Sequence, residues 1–238
     1  MDVALTPARR GGAEILDAPD VAPALLRRSI RDVARSNALF GGTRAVLREL
    51  EPLFAVHRGE AMTLLDAGTG AADIPRAAKA LAARYGVALT AIGVDVAAPL
   101  AAAAAGRLDQ ALLADVRALP LRARSVDVVV CSQLLHHFQE HPIGDVVREL
   151  DRVARRRVVV SDLRRSWVAA IGFWLASWPL RFHPVTRHDG VLSVLRGFTP
   201  AELRGHVARA TGVRPVVRRR LGWRITAAWS PRAESASR

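Results

Sequence analysis

The sequence predicts an α/β fold in which one open, mostly parallel β-sheet is covered by helices on both faces. Short apolar runs alternate with helical patterns from residue 62 to residue 162. A glycine-rich turn follows the first run in "LLDAGTG", and the chain closes with two strand-like runs, "VRPVVRRR" and "WRITAAWS". Alternating strands and helices are typical of a parallel sheet. The closing runs, joined at Leu221 and Gly222, predict a β-hairpin.

The N-terminal region predicts an arm and two helices. Residues 1–20 show no strong period, and we expect a loose arm there. Residues 21–58 predict a helical cap, because Leu25, Leu26, Ile30 and Val33 recur at helical spacing. The "GG" at 41 and 42 ends the first helix, and "TRAVLRELEPLFAVH" predicts the second.

The rest of the chain, residues 59–238, predicts one domain with an apolar helical insertion at 163–198. Its strands before the hairpin are "MTLLDA", "VALTAIGVDV", "QALLAD", "SVDVVVCS" and "RRVVVSD", which makes seven in all. The helices between them are "AADIPRAAKALAARYG", "APLAAAAAGRL" and "IGDVVRELDRVAR". In "FTPAELRGHVARAT", Thr199 and Glu202 form a capping box at the start of another helix, with Pro200 in its first turn.

Composition disfavours several classes of protein. Of the 35 basic residues all but Lys79 are arginine, and the net charge is +13. The arginines are spread along the chain without interleaved aromatic residues, so nucleic-acid binding is not expected. The single cysteine, Cys131, excludes a disulfide framework and agrees with a reducing cytoplasm.

Carboxylates follow three of the predicted strands, at Asp66, Asp95 and Asp115. In open α/β sheets, ligands bind at the carboxyl ends of the strands. The third glycine position of a G-x-G-x-x-G motif is occupied by Asp73, and Asp66 and Asp73 would repel a pyrophosphate. They favour a ligand with an ammonium and a sulfonium group, which S-adenosyl-L-methionine (AdoMet) carries. Asp95 can accept hydrogen bonds from both ribose hydroxyls, and Asp115 from the adenine amino group.

On these residues the chain resembles class I AdoMet-dependent methyltransferases, and among them the ubiquinone/menaquinone-biosynthesis type. The resemblance covers about residues 60–165 and rests on "LLDAGTGAADIP", "GVDVA" and "ADVRALPL". It implies a Rossmann-like doubly wound sheet that binds the cofactor through Asp66, Gly68, Gly70, Asp73, Asp95, Asp115 and Val116.

A fainter resemblance concerns the methyl acceptor. The stretches "DLRRS", "RHDGVLSVLRGFTPAEL" and "RRRLGWRITAAW" resemble bacterial methyltransferases encoded beside polyketide-synthase and flavin-dependent oxidase genes. This resemblance implies a phenolic or quinol-like natural product as the acceptor.

The fourth strand leads into "CSQLLHHFQEH", which supplies the candidate catalytic residues. The Asn- or Asp-Pro-Pro-aromatic tetrapeptide of base-amine methyltransferases is absent here. His136 or His137 would remove the proton of an acceptor hydroxyl, near pH 6.5 for an ordinary imidazole, and Asp162 would orient it. The pair could instead cap the following helix or pack against the cofactor. We expect no metal site, because the pair His137 and His141 lacks a carboxylate-rich partner.

These residues predict O-methylation of a small aromatic or polyketide-derived hydroxyl. Two alternatives stay open: C-methylation of a quinone-type ring, and a non-catalytic RNA-binding module with the same fold. The expected partner is a small hydrophobic aromatic substrate, and the oligomeric state is left open.

An aromatic segment, residues 167–182, has three interpretations. Trp167, Ile171, Trp174, Trp178 and Phe182 share one helical face, and the opposite face is apolar too. Such a helix forms a lid over the acceptor, packs in the core, or touches a membrane surface beside Arg164, Arg165 and Arg181. The apolar run is too short to span a bilayer. The protein is therefore expected in the cytoplasm, either free or at the membrane surface.

Overall fold

The computed structural model describes residues 5–18, 21–138 and 140–232. Its helices are α1 (Pro23–Leu39), α2 (Gly42–Val56), α3 (Asp73–Arg84), α4 (Ala98–Ala105), α5 (Glu140–Val153), α6 (Trp167–Ser177), α7 (Pro184–Arg196) and α8 (Pro200–Thr211). Its strands are β1 (Ala61–Ala67), β2 (Ala88–Asp95), β3 (Gln110–Leu113), β4 (Val126–Ser132), β5 (Ala154–Leu163), β6 (Val216–Arg220) and β7 (Arg224–Trp229). Residues 1–4 and 19–20 of the expected arm and 233–238 of the expected domain lie outside the described residues.

Within the described residues the strands form one seven-stranded sheet in the order β3-β2-β1-β4-β5-β7-β6. Strands β1 to β5 are parallel, while β7 is antiparallel to both β5 and β6. The predicted doubly wound α/β fold with a closing hairpin is confirmed. The strand order reverses between β1 and β4, and ligands of open α/β sheets bind at such a reversal.

The core lies on both faces of the sheet. In β4, Val128 and Val130 pack with α2 and α3, whereas Val129 and Cys131 pack with α5 and α8. Successive side chains of a strand point to opposite faces. A strand covered on both faces is therefore apolar at nearly every position, which explains the run "VVVC".

Helix α2 packs on the sheet, so the expected cap at 21–58 is not one unit. Val46, Leu50, Leu53 and Phe54 of α2 share a buried cluster with β1 and α3. Helix α1 buries polar side chains instead. The difference follows from the apolar stripe of α2, which is wide enough to join the helical layer of the sheet.

Residues 5–18 are not the loose arm that the missing periodicity predicts. Arg9 donates hydrogen bonds to the carbonyl oxygens of Arg196 (2.8 Å) and Phe138 (2.9 Å). The backbone N–H of Leu16 donates to the carboxylate of Asp189 (3.0 Å). The segment is held by polar anchors, which leave no apolar period in the sequence.

The insertion at 163–198 forms two helices. Helix α6 ends at Ser177 because Pro179 follows closely, so Phe182 lies outside the predicted helix and is buried. Helix α7, which the sequence analysis does not predict, packs its Val194 and Leu195 against Ala169 of α6. No helix among the described residues is both long and apolar enough to cross a membrane.

Candidate active site

The glycine turn between β1 and α3 is held against the end of β2. The N–H groups of Gly68 and Thr69 both donate to the carbonyl oxygen of Val94, at 2.9 Å, and the N–H of Gly70 donates to Oδ2 of Asp95, at 3.0 Å. Gly68 and Gly70 have φ of +77° and +48°, which favours glycine. A Cβ on Gly70 would meet no atom within 4 Å, so the space above the turn is open to a ligand.

Asp66 is a buried carboxylate with one unpartnered oxygen. Its Oδ2 accepts a hydrogen bond from Thr69 Oγ1 (2.9 Å), while Oδ1 has no partner among the described residues. Burial, reinforced by the charges of Asp73 and Asp95, raises the pKa of Asp66 to about 8. A cationic group beside Oδ1 would satisfy this oxygen and favour its charged form.

Asp95 and Asp115 differ in how free their oxygens are. The Asp95 carboxylate accepts from the N–H groups of Gly70 and Ala97, both at 3.0 Å, and each oxygen keeps a second lone pair. The Asp115 carboxylate is held by the Arg117 guanidinium, with Nη2 at 2.5 Å from Oδ2, and that hydrogen bond lowers the pKa of Asp115. The sequence analysis expected a carboxylate free for adenine, and in this structure it is already paired.

Val116 follows Asp115 and is buried in the cluster that covers the α5 and α8 face of the sheet. It lies next to Asp115 in the chain, on the same side of the sheet edge as the end of β2, because Ala114 donates its N–H to the carbonyl oxygen of Asp95 (3.1 Å).

Asp73, the first residue of α3, belongs to a polar network that reaches toward the other end of the site. Its Oδ2 accepts hydrogen bonds from Thr43 Oγ1 (3.3 Å) and Asn37 Nδ2 (3.5 Å). Asn37 Oδ1 accepts in turn from Gln133 and from Arg224 (3.4 Å). The network joins the glycine turn to α1 and β7.

Two histidines and three carboxylates meet beyond the carboxyl ends of β4 and β5. His136 places Nδ1 2.7 Å from Asp162 Oδ1 and Nε2 3.6 Å from Glu14 Oε1. His137 places Nδ1 3.0 Å from Asp17 Oδ1 and Nε2 3.9 Å from Glu14 Oε2. Each imidazole thus has a carboxylate at Nδ1, and both turn Nε2 toward Glu14. We call these five side chains the histidine cluster.

The charges of the histidine cluster make His136 a cation. Burial would lower the pKa of His136, but Asp162 and Glu14 outweigh burial and raise that pKa to about 9. Burial would raise the pKa of Glu14 and that of Asp162, but the His136 ring holds both pKa values below their ordinary values. At neutral pH His136 therefore carries two N–H donors and no free lone pair. The expected base near pH 6.5 does not fit His136.

Glu14, His136 and His137 bring ligand atoms within 4.8 Å of one another, a spacing that a metal ion also requires. The guanidinium of Arg196 lies 3.6 Å from Glu14 Oε1 and 3.7 Å from Asp17 Oδ2. Arg196 and the protonated His136 balance most of the negative charge from within the chain, and we assign no metal to the cluster.

A cavity of about 350 Å³ opens beside the histidine cluster. Three helices supply its mostly apolar wall: α1 (Val33), α6 (Val168, Gly172 and Phe173) and α7 (Gly190 and Val194), together with Phe40, which follows α1, and Trp223. Polar groups lie at one end, namely Glu14, Gln133, His136, His137, Ser193 and Arg224. One side of α6, in the insertion, therefore covers the cavity as a lid would.

The structure thus brings His136, His137 and Asp162 together, and it groups Asp66, Gly70, Asp73 and Asp95 around the glycine turn. Sequence reasoning missed Glu14, Asp17 and Arg196. One signal was present: Glu14 and Asp17 are the only acids of the segment 5–18 and stand three residues apart.

Comparisons with known proteins agree with this geometry. A family described as "Methyltransferase domain" matches residues 65–160. No curated protein matches the chain. Among solved structures, a SAM-dependent methyltransferase from Aquifex aeolicus is 18% identical, with a TM-score of 0.60 over 85% of this chain and 97% of that one.

Two further structures share the fold. Magnesium protoporphyrin IX methyltransferase from Synechocystis, with bound SAH, is 15% identical, with a TM-score of 0.54 over 90% of each chain. A TehB-like SAM-dependent methyltransferase from Corynebacterium glutamicum is 13% identical, with a TM-score of 0.56 over 89% of this chain and 100% of that one. Residues 65–160 therefore match a methyltransferase domain, the fold is one that SAM-dependent methyltransferases share, and the cofactor that these matches support is S-adenosylmethionine.

Proposed function

We propose that the protein methylates a hydroxyl oxygen of a flat, apolar acceptor, a small aromatic or polyketide-derived molecule, in the cavity between α1, α6 and α7. One observation carries the proposal: an apolar cavity ends at a buried histidine cluster that follows the strands next to the glycine turn. A pocket of this kind binds a mostly apolar molecule and fixes one polar group at a defined end.

The cofactor end is supported by the acids of the sheet edge. Asp95 keeps lone pairs for the ribose hydroxyls, and the unpartnered Oδ1 of Asp66 fits the ammonium group of the cofactor. When bound, AdoMet supplies a methyl group on a sulfonium. Attack of the acceptor oxygen on the methyl carbon forms the new C–O bond, breaks the C–S bond and releases S-adenosylhomocysteine. The residues of the chain contribute alignment, which is the main requirement of an in-line displacement.

Of the two histidines that the sequence analysis leaves open, His137 is the base that the geometry favours. The carboxylate of Asp17 lies 3.0 Å from Nδ1 of His137 and accepts a hydrogen bond from that nitrogen, so the lone pair of the neutral ring is on Nε2. The ring is partly exposed and lines the cavity. His137 Nε2 therefore takes the proton of the acceptor hydroxyl, and Asp17 holds the ring in position.

The remaining members of the cluster set the charge around that proton transfer. Glu14, Asp17 and Asp162 contribute three negative charges, against one each from His136 and Arg196. The net charge is then −1, and a proton on His137 brings it to zero. A buried site that becomes neutral on accepting the proton favours the transfer.

Product analysis tests the proposal. The full chain is incubated with methyl-labelled AdoMet and a panel of phenols, hydroxynaphthoquinones and quinols that differ in ring number and alkyl chain length. Mass spectrometry detects the methylated product, and NMR locates the label. A methoxy signal supports O-methylation. A label on ring carbon would establish the C-methylation alternative and contradict the proposal, as would a lack of turnover in a protein that binds AdoMet.

A further inference from the structure

The outward side of α6 is an apolar surface that the described residues leave partly exposed. Trp167, Ile171, Trp174, Leu175 and Trp178 are each between 38% and 56% exposed. They stand at spacings of one, three and four residues and so form a single stripe along the helix. Large side chains in one contiguous exposed stripe indicate a binding surface, whereas scattered ones do not. We call this stripe the α6 face.

The α6 face is flanked by positively charged side chains, and the chain on both sides of it contains no acidic residues. No aspartate or glutamate occurs from Leu163 to His188. Arg187 places its guanidinium carbon 3.7 Å from the ring centre of Trp178, and Arg10 places its own 5.5 Å from that of Trp167. The two ends of the stripe are thus flanked by cations that contact its tryptophans.

A groove of about 370 Å³ joins the apolar stripe to this positive charge. It is lined by Arg10, Trp174, Pro184, Arg187, His188, Val191, Leu192 and Leu195. Two guanidinium groups stand over an apolar floor, and no carboxylate is among the lining groups. A phosphate joined to acyl chains matches this combination, since arginine binds phosphate through paired donors.

We propose that the α6 face is a docking surface for an anionic phospholipid membrane, with the groove taking a lipid phosphate. The stripe would lie in the headgroup region, where tryptophan is favoured, and the flanking arginines would face anionic headgroups. The helix lies along the surface and does not cross the bilayer.

The position of α6 links this surface to the acceptor cavity, and this step rests on the proposed function. The same helix separates the α6 face from the cavity, because Ala169, Gly172 and Phe173 line the cavity on its other side. Only α6 would then lie between an acceptor dissolved in the membrane and the cavity. The substrate class is therefore an aromatic hydroxyl compound with a lipophilic tail.

Vesicle sedimentation without any acceptor tests the docking surface directly. The full chain is mixed with vesicles of phosphatidylcholine alone or of phosphatidylcholine with phosphatidylglycerol. We expect binding to the anionic vesicles only, and weaker binding as salt is added. The double variant Arg10→Gln/Arg187→Gln should lower the partition coefficient about tenfold or more, at roughly 1 kcal/mol for each arginine.

A second variant removes apolar contacts without touching any described hydrogen bond. Ile171→Gln/Leu175→Gln lies on the stripe and should also lower vesicle binding about tenfold. The matched control is Arg58→Gln/Arg84→Gln, two exposed arginines at the opposite end of the sheet, which should bind vesicles like the unmodified chain. Calorimetric AdoMet binding should be unchanged in all variants, which shows that they fold.

Three outcomes would overturn the docking surface. Equal binding to neutral and anionic vesicles would contradict docking to an anionic membrane, and binding of inorganic phosphate without binding of vesicles would contradict a lipid as the occupant. A dimer in sedimentation velocity that Ile171→Gln/Leu175→Gln dissociates, without vesicle binding, would make the occupant a second copy of the chain. Failure of the proposed function is separate, because it would appear as missing turnover across the whole acceptor panel, with long and short alkyl chains, whether or not the protein binds vesicles.

Discussion

The two ends of the candidate site are built in different ways. The proposed cofactor end comes from one continuous stretch, from Asp66 in β1 to Val116 just after β3. The acceptor end is assembled from distant segments: Glu14 from the arm, His137 after β4, Asp162 in β5, and the walls from α1, α6 and α7. The first end is a local property of the fold, and the second is a tertiary one.

The difference concerns what each end must do. Ligands of open α/β sheets bind at the carboxyl ends of the strands, so the position of the cofactor end follows from the sheet itself. The acceptor differs between enzymes, so its pocket is made by segments outside the sheet, which can change without disturbing the sheet. Variants at the two ends should therefore affect different measurable quantities.

The largest expected effect is at the acceptor end. His137→Ala should lower kcat by about 10²- to 10³-fold, because it removes the proton acceptor while alignment remains. The AdoMet dissociation constant should be unchanged. The matched control is His141→Ala, an almost fully exposed histidine four residues away. Rates that stay near normal in His137→Ala across the pH range would show that no base acts here and that alignment alone suffices.

The next effect is at the cofactor end. Asp95→Ala should weaken AdoMet binding at least tenfold in calorimetry, because two backbone N–H groups and the ribose hydroxyls lose their acceptor. Asp115→Ala should weaken it less, since the carboxylate is already paired with Arg117. Asp145→Ala, on the surface of α5, serves as the control. An Asp115→Ala effect larger than that of Asp95→Ala would reverse our assignment of the two acids.

A pH titration separates the ends by their charges. The pKa of Asp66 is raised to about 8, so this carboxyl is protonated at neutral pH in the free protein. A cationic cofactor prefers the ionised form, so its affinity should rise with pH toward 8, by at most about tenfold per pH unit. Calorimetry in buffers of different ionisation enthalpy should show a released proton. Asp66→Asn should abolish the pH dependence, and a dependence that survives would assign it to another group.

The smallest effect expected is on thermal stability. The folded pKa of Asp66, about 8, exceeds its ordinary value of 3.8, and that of His136, about 9, exceeds its ordinary value of 6.5. In both cases the folded state binds more protons than the unfolded state between the two values. Stability should therefore fall as pH rises from about 4 to 9.

Differential scanning fluorimetry should record this fall as a loss of several degrees in Tm between pH 6.5 and pH 9, since a domain of this size shifts about 2–4 °C per kcal/mol. Saturating AdoMet should make the fall shallower, because it favours ionised Asp66. A Tm that rises over this range would contradict both assigned shifts.

The sequence predicted the sheet and its strands because each strand is a short apolar run between recognisable turns. It also predicted the acids at the sheet edge, since they lie at fixed offsets from those turns. It did not predict the packed segment 5–18, which is held by Arg9 and Asp189 through hydrogen bonds that leave no period. Nor did it reveal that His136 is a cation, because Glu14 lies 122 residues earlier in the chain and no local pattern links the two.

The contact between Gly190 and Phe173 sets the breadth of the cavity. A Cβ on Gly190 would lie 2.2 Å from the Phe173 ring, so any larger residue at that position must push the ring aside. The ring already lines the cavity, and the rings of Phe40 and Phe182 have their centres 6.1 Å from it. A single nucleotide change at this glycine would thus narrow the range of acceptors without altering the sheet or the cofactor end. Among descendants of this chain, a change of acceptor would then begin with the shape of the cavity, while the residues that carry out the reaction stay the same.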